Sequence, residues 1–537
     1  MGPPPEPATE AAEHVHDPGQ VRPDTEVAII GAGLSGLGMA IALQRAGFED
    51  FLILERADDL GGTWRDNTYP GVGVDVPAQA YQFSYALNPH WSRVFAPGAE
   101  VKQYLDHLAE EYGLRQRVRL HSEVVERVWD QHAQLWRLKI AGPGEVRARF
   151  VVSAIGPFVD PKPVDIAGAD RFMGAVLHSS RWDDDCDLTG KRVAVIGTGA
   201  SAVQLVPEIA ATASRLDVYQ RTPIWVAPKP DMAVPRVVMW LFRRAPRLQE
   251  AVRRLATRAV ELLLIDVVVQ HRRIPWLART GAALLRSLWY RLQVRDPEVR
   301  RRLIPGYGLG CKRPSVSNSY LPTFNQPHVS LITESIEAIT EHGVRTVDGR
   351  ERQVDAIVLA TGFRLASDPE NFRRTPVRGR DGFDLATAYT QYRLASYEGV
   401  SMPGLPNHFM MFGPYGWVGG TWHQLVETTS AHIVRVLAEA RRRGAAVVEV
   451  KSEPTARWTG QMRRRLSRSL WASGNCATAS SYYFDHHGDT PYLRPTSSAQ
   501  ARRASRGFPL DDYTYLPASP ITQIPVRRDA ETTERMP

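Results

Sequence analysis

Two short apolar runs in this chain are each followed at once by a glycine-rich turn and then by a stretch with helical periodicity. Val27-Ala-Ile-Ile30 leads into Gly31-Ala-Gly33-Leu-Ser35-Gly36 and an Ala/Leu-rich segment. Val193-Ala-Val-Ile196 leads into Gly197-Thr198-Gly199-Ala200-Ser201-Ala202 and a second such segment. Short unbroken apolar runs bounded by turn residues predict strands buried on both faces, so a strand–turn–helix unit is expected twice. Each unit closes with a later apolar run ending in glycine, Phe150 to Gly156 and Asp355 to Gly362. Between Pro223 and Ile304 the pattern changes. Arginine-studded apolar repeats, Ala251 to Leu264 and Trp276 to Leu292, recur at helical spacing and predict amphipathic helices inserted into the second unit. Core packing is the ordinary use of such a stripe; the other is a basic surface that touches membrane or admits a lipophilic molecule.

The second strand of each unit discriminates between nucleotides. Phe51-Leu-Ile-Leu54 ends at Glu55 and Leu216-Asp-Val-Tyr-Gln220 ends at Arg221, each charge standing 24 residues after the first glycine of its loop. A carboxylate there accepts hydrogen bonds from a free ribose 2′-hydroxyl and repels a 2′-phosphate. A guanidinium does the reverse, gripping phosphate with a two-pronged fork. Charges at strand ends are commonly just solvated, but the matched offset with opposite sign argues for nucleotide sites. The first unit should hold FAD or NAD, and the second NADP. The glycines allow a tight turn and close approach to pyrophosphate, which then faces a helix N-terminus. The fold class expected is α/β, with two Rossmann-like dinucleotide-binding domains and a helical insertion in the NADP domain. The implied boundaries are a disordered leader over 1–24, FAD-domain parts over 25–156 and 385–516, NADP-domain parts over 157–223 and 305–384, the insertion over 224–304, and a flexible tail over 517–537.

Composition adjusts this picture in three places. A length of 537 residues suits two or three domains, and 43% apolar with 23% charged residues is ordinary for a globular chain. The net charge of +8 raises nucleic acid or an anionic membrane as partners. The arginines, however, are scattered rather than gathered into a tail, and two phosphate-rich cofactors account for the surplus more simply. No nucleic-acid partner is expected, and membrane contact is expected to be peripheral at most. The three cysteines, Cys186, Cys311 and Cys476, stand far apart with no C-x-x-C. That spacing argues against a disulfide scaffold, a metal site or a dithiol redox centre, and for a reduced cytoplasmic compartment. The N-terminus lacks the apolar core of a signal peptide. The most apolar run, Leu262 to Val269, is interrupted by Asp266 and is too short to span a bilayer.

Between the two units lies Phe172-Met-Gly174-Ala-Val-Leu-His178-Ser-Ser-Arg-Trp182-Asp183. It resembles the fingerprint of the Baeyer–Villiger monooxygenases without departure; related nitrogen- and sulfur-oxidising flavin monooxygenases usually carry Tyr where Trp182 stands. From the residues alone, His178 and Trp182 would be a core pair. The resemblance runs from about Val27 to Tyr513 and implies that the fingerprint links the nucleotide domains. Gly61-Gly-Thr63-Trp64, with Tyr69-Pro-Gly71 and Asp75, resembles the stretch that wraps the flavin ring. Tyr81 and Val124 join the implied flavin contacts, beside Gly31, Gly33, Ser35, Gly36 and Glu55. Gly310-Cys-Lys312-Arg313-Pro314 resembles the loop carrying the family's active-site arginine. Phe412-Gly-Pro-Tyr415-Gly-Trp417-Val-Gly-Gly420 resembles the glycine-rich loop near the substrate, and Trp471 the tryptophan of a mobile loop that closes over NADP. The implied NADP contacts are Gly197 to Ala202, Arg221, Thr222, Lys312, Arg313 and Trp471. One departure is Arg65-Asp66-Asn67, where many members carry bulky aromatics, which bears on the flavin-side pocket.

The resemblance implies an enzyme that uses FAD, NADPH and O2 to insert one oxygen beside a ketone carbonyl through a C4a-peroxyflavin, giving an ester or lactone. The cofactor carries that chemistry, so no protein nucleophile is expected. Arg313 is the candidate catalytic charge, because guanidinium stays protonated at any working pH; Asp75 would hold it in place. Taken by itself, Lys312-Arg313 is an exposed basic pair before a proline. Large apolar side chains near Trp417 and in the insertion suggest a bulky, lipophilic ketone, and a monomer or dimer is expected. Two readings compete: a flavin monooxygenase acting on amines or sulfides, and a flavin-binding redox sensor without catalysis. An NADPH-dependent disulfide reductase would need a cysteine pair that the spacing does not supply.

Overall fold

The first apolar run forms the strand Thr25–Ile30, parallel to Phe51–Leu54 on one side and to Gly144–Ser153 on the other, with Val27 opposite both Phe51 and Phe150. Its side chains alternate between two cores. Val27 and Ile29 point into a cluster built with the helix Leu34–Arg45, while Ala28 and Ile30 point into one built around Trp136, Phe372 and Leu385. Double-sided burial is why the run is apolar throughout rather than alternating. The computed structural model describes residues 22–163, 165–266, 275–418, 420–472, 476–479 and 481–519. The expected leader up to residue 21, the tail from 520 and residues 267–274 of the insertion lie outside the described residues.

The sheet continues in the order Val377–Arg378, Val124–Asp130, Leu135–Ile140, Gly144–Ser153, Thr25–Ile30, Phe51–Leu54, Val118–Arg119, with His408–Met410 added on Gly144–Ser153. A second sheet, parallel throughout, has the order Val329–Ile332, Arg215–Tyr219, Arg192–Ile196, Ala356–Leu359, Ala175–His178. Val193 and Val195 face one core and Ala194 and Ile196 another, so the second unit repeats the device of the first. Two crossings join the units, Phe158–Pro161 and Phe363–Leu365. They run antiparallel and pair with each other, directly after Gly156 and Gly362. The chain returns to the first unit earlier than residue 385. Val377–Arg378 adds to the first sheet beside Val124–Asp130, because Phe372 and Val377 bury with Leu385 and Tyr389.

From residue 236 the insertion is mainly helical where described, with Arg236–Arg244, Pro246–Glu261, Pro275–Leu284 continuing to Gln293, and Pro297–Leu303, whose start is capped by the Asp296 carboxylate. Before it, residues 224–235 carry the short strand Val226–Ala227 instead. Among the described residues no helix is long and apolar enough to cross a membrane.

The two glycine turns are built alike but not identically. Gly31 and Gly197 hold φ of +104° and +119°, which an L side chain rarely adopts, and each backs onto the carbonyl of its unit's closing strand, Ala154 or Ala360. At the third loop position a Cβ on Gly36 would collide with the Gly31 carbonyl oxygen, whereas the second unit places fully buried Ala202 there. Ordinarily Gly→Ala inside a helix stabilises by about 1 kcal/mol. Here Gly36→Ala should reverse that sign, lowering the melting midpoint and the retention, through gel filtration, of the flavin expected in the first unit. Ala202→Gly should cost only about 1 kcal/mol and leave flavin in place.

Candidate functional site

Both glycine turns open onto one continuous cleft of about 1560 Å³ between the sheets. At its first-unit end the buried Glu55 carboxylate accepts hydrogen bonds from the backbone N–H groups of Ala32 (2.7 Å) and Ala57 (3.1 Å). Arg65 pairs with it at 3.1 Å and also donates to Asp66 and the Asp59 carbonyl. The unusual Arg65-Asp66 pair therefore sits at the Glu55 end of the cleft. Ser35 accepts from the Trp422 indole N–H at 2.7 Å, which ties the helix Trp422–Arg443 to the first glycine turn.

Further along, Trp64 donates its indole N–H to the Tyr81 hydroxyl at 3.2 Å, the rings meeting edge to face with centroids 5.6 Å apart. Burial pushes the Tyr81 phenol well above its ordinary pKa, so it stays a neutral wall. Asp75 of the same unit meets Arg313 of the other through two parallel hydrogen bonds, Nε to Oδ2 at 2.7 Å and Nη2 to Oδ1 at 2.9 Å. Burial alone would lower the Arg313 pKa, but the adjacent Asp75 charge outweighs it and the pKa is raised. Nη1 is left without a carboxylate among the described residues, and the guanidinium lies 5.9 Å from the Trp417 ring centroid.

At the second-unit end, Arg221 and Lys312 line the cleft together. Burial, reinforced by the Arg221 charge, pushes Lys312 down to about 8. Among the described residues neither has a carboxylate partner. Two like charges gathered without a counter-ion make a place for a polyanion. The Thr198 hydroxyl donates to the Thr222 carbonyl at 2.8 Å and fixes the turn beside them.

Gly31, Gly33, Ser35, Glu55, Thr63, Trp64, Asp75, Tyr81 and Val124 line this cleft, as do Gly197 to Ser201, Arg221, Thr222, Lys312, Arg313 and Trp417. Gly36 and Ala202 lie beneath their turns. Tyr415 is not on the cleft wall: it is buried and accepts from Arg463 Nε at 3.1 Å. Trp471 is not there either. It is buried behind the arginine loop and donates to the Gly310 carbonyl at 3.0 Å, so in this structure it braces the loop that carries Arg313. The fingerprint lies off the cleft as well. The strand Ala175–His178 edges the second sheet, and the His178 ring meets Phe363 of the linker at 6.3 Å while its Nδ1 bonds the Ser180 hydroxyl at 2.8 Å. Burial, then the Arg181 charge, lowers the His178 pKa.

The cysteine expectation is overturned. Cys311 and Cys476 are joined by a disulfide between the residue preceding Lys312 and the segment following Trp471; Cys186 is free. Distance in sequence, 165 residues, hid a contact made by folding, and the argument for a reduced compartment loses its ground.

Several cleft residues carry no sequence signal. Arg127 is 3% exposed, lines the cleft, and is pushed down to about 10 by burial. Strict alternation along Val124–Asp130 would put Val124, Glu126 and Val128 inward, but a register shift between Val124 and Glu126 turns Arg127 in instead. Thr421, whose buried hydroxyl has no partner among the described residues, and Tyr482 and Tyr492 also face the cleft.

Residues 28–262 match the family described as pyridine nucleotide-disulphide oxidoreductase. A Baeyer–Villiger monooxygenase of Pseudomonas aeruginosa is 38% identical over 500 residues, covering 93% of each chain. Cyclohexanone monooxygenase from Rhodococcus sp. Phi1 bound to NADP+ superposes with a TM-score of 0.82 at 25% identity, over 92% of this chain and 99% of that one. The OTEMO complex with FAD and NADP superposes with a TM-score of 0.80 at 26% identity, over 92% and 99%.

A cross-link closing so long a loop typically contributes about 2–4 kcal/mol by restricting the unfolded chain. Cys476→Ser should lower the melting midpoint accordingly. Thiol titration of the denatured, unreduced chain should find the single free thiol of Cys186; three thiols would refute the bond.

Proposed function

This chain belongs to the Baeyer–Villiger monooxygenase family, and on that premise we propose which residues serve the reaction and what form of ketone they admit. The chain is an FAD- and NADPH-dependent oxidoreductase that uses O2 to insert an oxygen atom beside a ketone carbonyl, yielding an ester or lactone. Bound FAD supplies the redox chemistry, taking electrons from NADPH and passing them to O2, which no side chain here could supply. The protein supplies position, charge and exclusion of water.

Glu55, its carboxylate fixed by two backbone N–H groups, accepts the ribose hydroxyls of FAD. Arg221 and Lys312 hold the 2′-phosphate of NADPH, with Thr222 at the turn. Trp64 and Tyr81 wall the flavin side. The observation that carries the catalytic assignment is the two-pronged Asp75–Arg313 pair where the two units meet. Asp75 occupies Nε and Nη2 and so aims Nη1, which donates to the substrate carbonyl oxygen as negative charge gathers there. A guanidinium does this without surrendering its proton. Trp417, Trp422, Tyr482, Phe484 and Tyr492 give this part of the cleft a broad aromatic lining, which suits a bulky, lipophilic ketone.

Arg313→Ala should retain flavin and its reduction by NADPH yet make product about 100- to 1,000-fold more slowly, the usual cost of one preorganised donor. Product mass with a panel of ketones under air reads this directly. Undiminished ester formation would remove Arg313 from the chemistry. Oxygenation of amines or sulfides alone would transfer the chain to the neighbouring flavin monooxygenases.

The phosphate grip has its own pH signature. Lys312 is protonated below about pH 8 and neutral above it, so the KM for NADPH should climb as pH rises through that value. Arg221→Ala should raise KM throughout but move the break to higher pH, because the charge that helps to depress Lys312 is gone. An unmoved break would detach Lys312 from that titration.

A further inference from the structure

The insertion wears its polarity inside out. On the helix Pro246–Glu261 the buried positions include Gln249, Arg253, Thr257 and Glu261. Gln249 donates to the Asn88 carbonyl at 2.7 Å, and Arg253 pairs with Glu250 at 2.6 Å. Leu248 and Leu255 on this helix, with Leu262 just beyond it, stand outward seven residues apart, Leu255 being 73% exposed. The preceding helix Arg236–Arg244 buries only Phe242 and turns Val237, Trp240 and Leu241 to solvent at i, i+3, i+4 spacing. Trp276, Leu284, Leu288 and Leu292, in register on the later helix, are exposed too, Leu292 by 70%. A water-facing helix in a globular protein shows the opposite pattern, and exposed apolar stripes repeated on successive helices mark a site of contact.

Charge selects the partner. Arg236, Arg243, Arg244, Arg247, Arg279 and Arg291 are exposed along the same helices and have no carboxylate partner among the described residues. From 236 to 293 the only carboxylates are Glu250, Glu261 and Asp266: the first is half-buried and paired with Arg253 and Arg254, and the other two are buried. Two copies of so cationic a face would repel each other. Nucleic acid would satisfy the arginines but leave the leucines wet. We propose that this face docks on an anionic lipid surface, with the leucines and tryptophans at the headgroup–acyl boundary and the arginines on lipid phosphates. Such helices lie in the interface plane without spanning it. The proposal is independent of the oxygenation chemistry. The inner face of the same helix meets the glycine-rich loop, since Val260 packs against Gly420.

Co-sedimentation of the FAD-loaded chain with vesicles tests this without reference to activity. Vesicles of phosphatidylcholine plus phosphatidylglycerol should carry the protein down, pure phosphatidylcholine far less, and salt should release it. Each arginine changed to glutamine among Arg243, Arg247 and Arg291 should weaken binding about fivefold. Leu255→Glu with Leu288→Glu should abolish it while flavin absorbance and melting midpoint stay unchanged, because both side chains face solvent. The proposal is overturned if anionic vesicles leave the protein in the supernatant at low salt. It also falls if the double glutamate variant binds as before, if that variant instead splits a dimer seen by sedimentation velocity, or if duplex DNA competes the protein off the vesicles.

Discussion

Asp75 and Arg313 are 238 residues apart in sequence, one from each nucleotide-binding unit, and their pairing makes a single cleft out of two sites. A half-buried guanidinium is stabilised by a carboxylate partner, and removing one member of such a pair leaves the other uncompensated. The pair is thus a structural link between units as well as a chemical group. Everything around it serves to fix its geometry. The disulfide and the Trp471 indole grip the arginine loop from behind. The strand Ser315–Val316, which follows the loop, pairs with Val226–Ala227. With Nε and one N–H of Nη2 committed to Asp75, the guanidinium plane is fixed, and with it the directions of the N–H groups on Nη1.

The electrostatics are graded along the cleft. At one end Glu55 has its charge answered by backbone N–H groups and Arg65, so it can accept from a neutral ribose but offers nothing to a phosphate. At the other end Arg221 and Lys312 are left unanswered, at the cost of a depressed lysine. The middle is balanced by Asp75. A chain that neutralised every charge internally would bind neither nucleotide selectively. In the proposed reading, selectivity comes from which charges the fold leaves unpaired.

How much of this was legible in the sequence follows from what each signal depends on. The two strand–turn–helix units and their opposite strand-end charges were readable, because both rest on local pattern: buried runs, obligatory glycines, a fixed offset. The Cys311–Cys476 bond was not, because spacing says nothing of two loops that folding brings together. Arg127 was misdirected by a bulge, since alternation holds only while register does. The segment around Val377 was assigned to the wrong unit for a similar reason: which sheet edge a short strand joins is settled by where Phe372 finds a core. Trp471 resembled a nucleotide lid by its local context, yet its indole is spent on the Gly310 carbonyl.

The surplus of positive charge shows how composition misleads when location is unknown. Spread over the whole chain, a net charge of +8 is comfortably assigned to two phosphate-rich cofactors. The structure divides it otherwise. The eight Lys and Arg side chains that line the cleft are matched in number by eight Asp and Glu, while the insertion carries its unpaired arginines on the same helices that turn leucine and tryptophan outward. Cations needed for nucleotides would not be placed among exposed leucines, and leucines needed for a core would not be placed outside. The two anomalies occupy one stretch of chain. An explanation that accounts for them jointly is more economical than one cause for the charge and another for the exposed hydrocarbon.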